Sequence, residues 1–348
     1  MINLFYPYIP EDAITDVTDT LNSRWIGQGP KVDKFEKDFA EKFNQKYCVS
    51  VNSGSAALET AYELAGIEAG DEVITTPLTC TATNIPLLRI GAKIIWADIN
   101  KDTLCLDRED VLTKITPRTK AIVNVHLGGV ESDIGKMPVP VISDAAQALG
   151  IFTGDYTCNS FQAIKHITTG DGGMVTVNND WEYKRAKLMR WFGIDREKKQ
   201  FNNWQPYMKR EMTFDIEILG YKRQATDIMA TMGIAGLRHY DEVIAYRKKL
   251  FDLYKKLLKV KVIDGKNNTY WLCTILLENR DRVAEALLEN GVETNLVQVR
   301  NDAYKIFGNR VSLPNMDYIE PRYISVPLSM KVTEDDVVKI CDIINKYE

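Results

Sequence analysis

The stretch FQAIKHITTGDGG, Phe161 to Gly173, ends an apolar, strand-like run on a single lysine, Lys165, and opens into a Thr- and Gly-rich turn. A solvated lysine needs no such setting. A lysine held at a strand end among apolar side chains can lose its proton and attack a carbonyl. Read alone, Lys165 is more simply a surface lysine at a turn, so the rest of the chain has to decide.

Around that stretch, short apolar runs alternate with helical patterns. Strands are expected over 47–51, 72–76, 93–97, 121–126, 139–143, 160–163 and 174–177, and helices over 11–21, 32–43, 56–64, 81–90, 107–115 and 181–196. A polar stretch, 197–209, reads as a loop or lid. Helices at 226–237 and 242–258 follow, then a new pattern of strand 270–277, helix 280–290, strand 323–326 and helix 333–347. Such alternation predicts an α/β domain with a largely parallel sheet covered on both faces, over residues 1–240, and a smaller C-terminal α/β domain over 241–348.

The totals fit that division. The chain has 348 residues, enough for two domains, with 45% hydrophobic and 26% charged residues. Net charge is −4, from 44 basic and 48 acidic residues without a basic block, which argues against nucleic acid as a partner. No apolar run reaches the length of a membrane span, and the first residues lack the pattern of a signal peptide. Six scattered cysteines without a CxxC, and three histidines far apart, suit a reduced cytoplasm and argue against a disulfide framework or a metal site.

Three further features fall near strand ends, where open α/β sheets place ligands. Ser53-Gly54-Ser55-Ala56 is a Gly-bearing turn directly before a helix, a setting for a phosphate or for a plain Ser cap. Asp144 follows the apolar run 139–143 and is a candidate anion for a protonated ring nitrogen; it also reads as a helix cap with Gln147 completing a capping box. Gly170-Asp171-Gly172-Gly173 is a tight turn into the last strand. A phosphate cradle, a carboxylate and a lysine in one α/β domain match what pyridoxal phosphate requires.

At this point the sequence resembles the sugar aminotransferases of the DegT/DnrJ/EryC1/StrS family. The landmarks RWIGQGPKVDKFEKDFA, VNSGSAAL, GDEVITTPLT, IVNVHLGG, SDAAQALG, SFQAIKHITTGDGG and LGYKRQATDI occur in order along nearly the whole chain. The resemblance implies an aspartate-aminotransferase-like fold (fold type I), with a mostly parallel seven-stranded sheet. It implies that Lys165 forms the Schiff base with pyridoxal 5′-phosphate and then shuttles a proton, with pyridoxamine phosphate as the amine-carrying form. Asp144 would pair with the pyridine nitrogen, Gln147 would reach the ring hydroxyl, and Ser55, the Ala56 N–H and Ser160 would hold the phosphate. Lys222 and Gln224 match a segment that in relatives comes from the partner subunit, so a homodimer with shared active sites is implied. Trp25, His126 and Arg190 are the candidates for the substrate side.

The sequence departs from the family pattern in three places. Cys80 stands where relatives place an aromatic residue against the cofactor ring, the 220–224 stretch differs from the usual Asn- or Arg-bearing forms, and Gly129 replaces a frequent Tyr, which would enlarge the substrate pocket. The implied reaction is amination of a nucleotide-linked keto sugar, a 4-keto-6-deoxyhexose by family frequency, with L-glutamate as donor. A sugar dehydratase of the same family is the alternative within that chemistry, but those relatives carry His where this chain has Lys165. A non-catalytic sugar-binding or regulatory relative is the alternative outside it, and the retained set of Lys165, Asp144 and Gln147 argues against that one.

Overall fold

In the computed structural model, which describes residues 1–196 and 215–348, seven strands form one sheet. They are β1 (Tyr47–Val51), β2 (Glu72–Thr75), β3 (Lys93–Trp96), β4 (Thr119–Val125), β5 (Val141–Asp144), β6 (Tyr156–Ser160) and β7 (Gly173–Val177), in the order β1-β7-β6-β5-β4-β2-β3. From β6 to β3 all neighbours are parallel, while β7 runs antiparallel to both β1 and β6. Helices α1 (Glu11–Asn22), α2 (Pro30–Lys42), α3 (Gly54–Leu64), α4 (Thr81–Ile90), α5 (Arg108–Lys114) and α6 (Asp180–Met189) accompany the sheet. Most strand residues are buried on both faces, which is why they read as continuous apolar runs without alternation.

The strand expected at 160–163 lies earlier, at Tyr156–Ser160. Its buried polar residues hide it from a hydrophobicity scan, because their partners are close by. Thr157 Oγ1 donates to Thr153 O at 2.9 Å and Asn159 Nδ2 to Ala145 O at 3.2 Å. The helix expected over 181–196 ends at Met189, after which Trp191 pairs with Lys222. The polar stretch 197–209 lies outside the described residues.

The two helices expected at 226–237 and 242–258 are one, α7 (Asp227–Leu257), 31 residues long. No Gly or Pro separates the two halves, and Tyr240 in the middle is anchored by its hydroxyl to Leu149 O at 2.5 Å. Its first half packs on α1 and α2, and the Asp227 carboxylate accepts the N–H groups of Gly29, Lys31 and Val32 at the start of α2. Its second half puts Leu250, Phe251 and Tyr254 into a separate core with Cys273, Ile275, Val326, Val337 and Ile340. That core belongs to the antiparallel sheet β10-β9-β8, made of β8 (Lys261–Val262), β9 (Cys273–Leu276) and β10 (Tyr323–Val326), with helices α8 (Arg280–Glu289), α9 (Pro314–Ile319) and α10 (Glu334–Tyr347).

The expected boundary between 240 and 241 therefore falls inside a continuous helix. The beginning of the chain also crosses it: Ile2 bridges to Val292, and Leu4 N–H donates to Glu293 Oε2 at 3.1 Å. Among the described residues no helix is long and apolar enough to cross a membrane.

Candidate active site

Asp144 is the last residue of β5, at the C-terminal end of the parallel strands. Its carboxylate accepts Thr83 Oγ1–H at 2.7 Å and the Ala146 N–H at 3.1 Å. Burial pushes its pKa up, while those two donors and the charge of Lys165 pull the other way. No helix follows it, so the expected capping box is absent; Gln147 Oε1 instead accepts the Gly128 N–H at 2.7 Å.

Lys165 lies in the connection between the antiparallel strands β6 and β7, beyond the strand end itself. The connection folds back on itself. Phe161 N–H donates to Gly172 O, Thr169 N–H to Phe161 O, and Lys165 N–H to Gln162 O, each at 2.9 Å. Burial pushes the Lys165 ammonium down to about 8, against the charges of Asp144 and Cys80, which favour the protonated form. Among the described residues its Nζ has no ion pair, and it lies 3.9 Å from the centre of the Trp271 ring.

The N-terminus of α3 forms the third part. Ser53 is the N-cap, and its hydroxyl accepts the Ala56 N–H at 3.0 Å. Gly54 is needed because α3 starts hard against the end of β6, where a Cβ on Gly54 would lie 2.8 Å from Ser160 Cβ. Ser55, Ala56 and Ser160 thus share one small region at a helix N-terminus, a place suited to an anion. Cys80 is the N-cap residue of α4, is exposed, and is close enough to act on the charge of Lys165. Lys222 and Gln224 run beside the end of β1: Gln224 bridges to Val51, Asn52 Nδ2 donates to Lys222 O, and the buried Gln224 Oε1 has no partner among the described residues.

The three substrate-side candidates are not gathered here. Arg190 is 2% exposed and forms an ion pair with Glu36, with a further bond from Nη1 to Ser50 O at 3.1 Å. It fastens α6 to β1 and α2. His126 is fully buried, and both ring nitrogens have partners. Ser132 N–H donates to Nδ1 at 2.9 Å, which leaves the proton on Nε2 to donate to Thr153 Oγ1 at 3.1 Å. Burial holds its pKa down at about 4, so it is a neutral structural group. Trp25 is exposed, on a loop tied to Arg196 through Gln28.

Gly129 does not enlarge a pocket. It has φ +99°, and a Cβ there would lie 2.8 Å from Trp271 N and 2.9 Å from Thr269 Oγ1, so second-domain backbone fills the space.

Sequence reasoning missed the contribution of that second domain. Trp271 is 1% exposed, and its indole N–H donates to Ile164 O at 3.0 Å. Asn301 donates from Nδ2 to Thr79 O at 2.7 Å and accepts Asn84 Nδ2–H at 2.9 Å. Thr79 Oγ1 lies 2.9 Å from Thr83 Oγ1. Because Thr83 spends its proton on Asp144, Thr79 is the donor, and a buried chain of hydrogen bonds links Asn301 to Asp144. The one available signal for this was the three threonines at 79, 81 and 83, which an ordinary helix start also explains.

A carboxylate at a strand end, a lysine eased toward neutrality and a helix N-terminus on this sheet order define an aspartate-aminotransferase-like α/β enzyme. The chain belongs to the DegT/DnrJ/EryC1/StrS aminotransferase family, whose model matches residues 7–345. It is 31% identical to the spore coat polysaccharide biosynthesis protein SpsC of Bacillus subtilis, over 96% of this chain and 95% of that protein. It is 30% identical to a GDP-perosamine synthase of Escherichia coli O157:H7, over 99% and 98%. Among solved structures, the sugar aminotransferase CalS13 from Micromonospora echinospora superposes with a TM-score of 0.90 at 30% identity, covering 99% of this chain and 100% of that one.

Proposed function

We propose that this chain is a pyridoxal-phosphate-dependent aminotransferase that converts a nucleotide-linked keto sugar, a 4-keto-6-deoxyhexose, to the amino sugar, with L-glutamate as the amine donor. The observation that carries the reading is that the sheet brings to one end the buried Asp144 carboxylate, held by Thr83 and Ala146, Lys165 in the β6–β7 connection, and the α3 N-terminus against Ser160. The residues present fit the cofactor. The α3 N-terminus with the Ser55 and Ser160 hydroxyls suits the phosphate, with the Ala56 N–H donated to the Ser53 hydroxyl rather than left for it, and the Gln147 amide NH₂, without a hydrogen bond among the described residues, is free to donate to the ring hydroxyl.

When bound, pyridoxal phosphate supplies an electron sink for the carbon being aminated. The protein supplies the rest. Asp144, held by Thr83 and Ala146, keeps a negative charge where a ring nitrogen must stay protonated. Lys165 is the residue that would hold the cofactor, and its amine, when free, would take a proton from the amino donor and return one to the sugar carbon. A pKa near 8 leaves part of Lys165 neutral at physiological pH and ready to act as the base.

The working form is a homodimer in the cytoplasm. Support for a second copy comes from the exposed apolar side chains of Trp25, Ile26, Phe192, Leu219 and Tyr221, on segments joined by Asp227 N–H to Gly27 O and Phe192 N–H to Tyr221 O.

The test is an absorption spectrum of the protein with pyridoxal phosphate, before and after L-glutamate, beside Lys165→Ala. The expected result is a visible band that glutamate removes and that the variant lacks, followed by recovery of the band on adding a nucleotide-linked keto sugar. Absence of any Lys165-dependent band would overturn the reading. A sugar that loses a hydroxyl without gaining an amine would favour the dehydratase.

A further inference from the structure

We propose that Trp271, carried into the site by the second domain, is a positioning residue that holds the free ammonium of Lys165 over its indole face. The inference rests on the reading of Lys165 as the cofactor lysine. Its starting point is the 3.9 Å between Nζ and the ring centre, inside the range in which an aromatic face attracts a cation, and strongest where water is excluded.

The ring is fixed from several sides. Its N–H donates to Ile164 O, in the residue next to Lys165. Phe5 stacks on it with centroids 5.5 Å apart and planes at 29°. The turn that carries it docks onto the large domain at both ends, through Thr269 N–H to Gly129 O at 2.8 Å and Leu272 N–H to Gly128 O at 2.9 Å. Between those anchors Thr269 O meets His166 Nε2 at 2.7 Å, and the buried Arg247 donates to the carbonyls of Tyr270 and Trp271. Tyr270 has φ +57°, an uncommon conformation for a residue other than Gly, and the one that turns Trp271 inward. A strained backbone held by this many contacts to aim one ring at one amine is a device with a use.

The use follows from the proton traffic. When Lys165 takes a proton it becomes an ammonium in a place where burial disfavours charge. An indole face beside it stabilises that ammonium without forming a bond that must later break, so the proton can be given back. Asp144 and Cys80 also act on this charge, and Lys165 in turn acts on His166, which feels Arg247 from behind.

The experiment titrates Lys165 in the cofactor-free full chain, by its rate of acetylation with acetic anhydride between pH 6 and 9, read by peptide mass spectrometry. The expected midpoint lies near 8 in the parent. Trp271→Leu should lower it by about one unit, a tenfold change in the acid constant, while Trp271→Phe should move it less. A Leu variant with an unchanged or raised midpoint would overturn the proposal.

A second measurement does not depend on the folding of a Trp271 variant. Indole fluorescence of the parent should titrate with the same midpoint, and Lys165→Met should abolish that step; a step that survives Lys165→Met would also overturn it. Protection of Lys165 by added pyridoxal phosphate reports separately on the cofactor reading, because the midpoint shift does not require the cofactor to bind.

Discussion

The site has two walls of different construction. The first is made by the large domain: Asp144 at the end of β5, the α3 N-terminus, and Lys165 in the β6–β7 connection. Its residues are held by the sheet ladder and by helix geometry, so each is placed by its own neighbours. The second wall is made by loops of the other domain, Trp271 and Asn301, which are placed by docking onto the first. On the function proposed above, one wall carries the chemistry and the other tunes it. Variants on the first should therefore abolish turnover, and variants on the second should shift constants while leaving turnover measurable.

Lys165→Ala should have the largest effect, a loss of about 10⁴-fold or more in turnover with the fold intact. An acid titration of stability comes next and probes a buried histidine of the first wall's domain, His126, beside one at the seam, His166. Burial holds His126 at about 4, and burial aided by Arg247 holds His166 at about 3, from an ordinary value of 6.5. As pH falls the unfolded chain takes these protons first. Stability is therefore lost from about pH 6.5 downward until the folded chain also binds them, by roughly 3 kcal/mol or more for each histidine. His126→Gln should flatten that slope in a denaturant titration, and an unchanged slope would show that other groups govern it.

Thr83→Val removes one charge-assisted bond from Asp144. About tenfold weaker cofactor binding is expected, with a shifted pH profile of the bound-cofactor spectrum, since such bonds contribute roughly 1.5–3 kcal/mol. Asn301→Ala, on the second wall, should cost about 1–3 kcal/mol in thermal unfolding and less in turnover than Thr83→Val. If Asn301→Ala instead abolished activity as Lys165→Ala does, the distinction between the walls would fail.

The same difference explains what could be read from the sequence. Lys165, Asp144 and the Ser-Gly-Ser turn are each visible as a short stretch whose residue types, at or just beyond a strand end, suit the proposed chemistry. Most of the sheet strands were legible for the same reason, because apolar runs signal burial wherever the partner lies. Arg190 and His126 carried the same outward signs, a polar group near an element end. Their roles are decided by partners that no local pattern reveals: Glu36 lies 154 residues from Arg190, and Thr153, 27 residues from His126, comes from the connection between β5 and β6. Gly129 was legible as a departure, yet its meaning depended on which backbone fills the missing side chain. Trp271 gave no signal, because its neighbours are assembled only when two domains meet. The boundary at 240 falls inside helix α7, one continuous element of which each half serves a different core.

The link between the first residues and the second domain has a consequence for how the molecule is made. Leu4 finds its partner, Glu293, 289 positions later, and Phe5 stacks on Trp271. On a ribosome that releases the chain from its beginning, those first residues wait through most of synthesis with nowhere to dock, while helices and strands around them condense. Phe5 therefore settles late, against a ring that is itself seated only after the second domain has folded. The seating of those first residues and the shaping of the site around Lys165 are coupled, because both meet at the Trp271 ring.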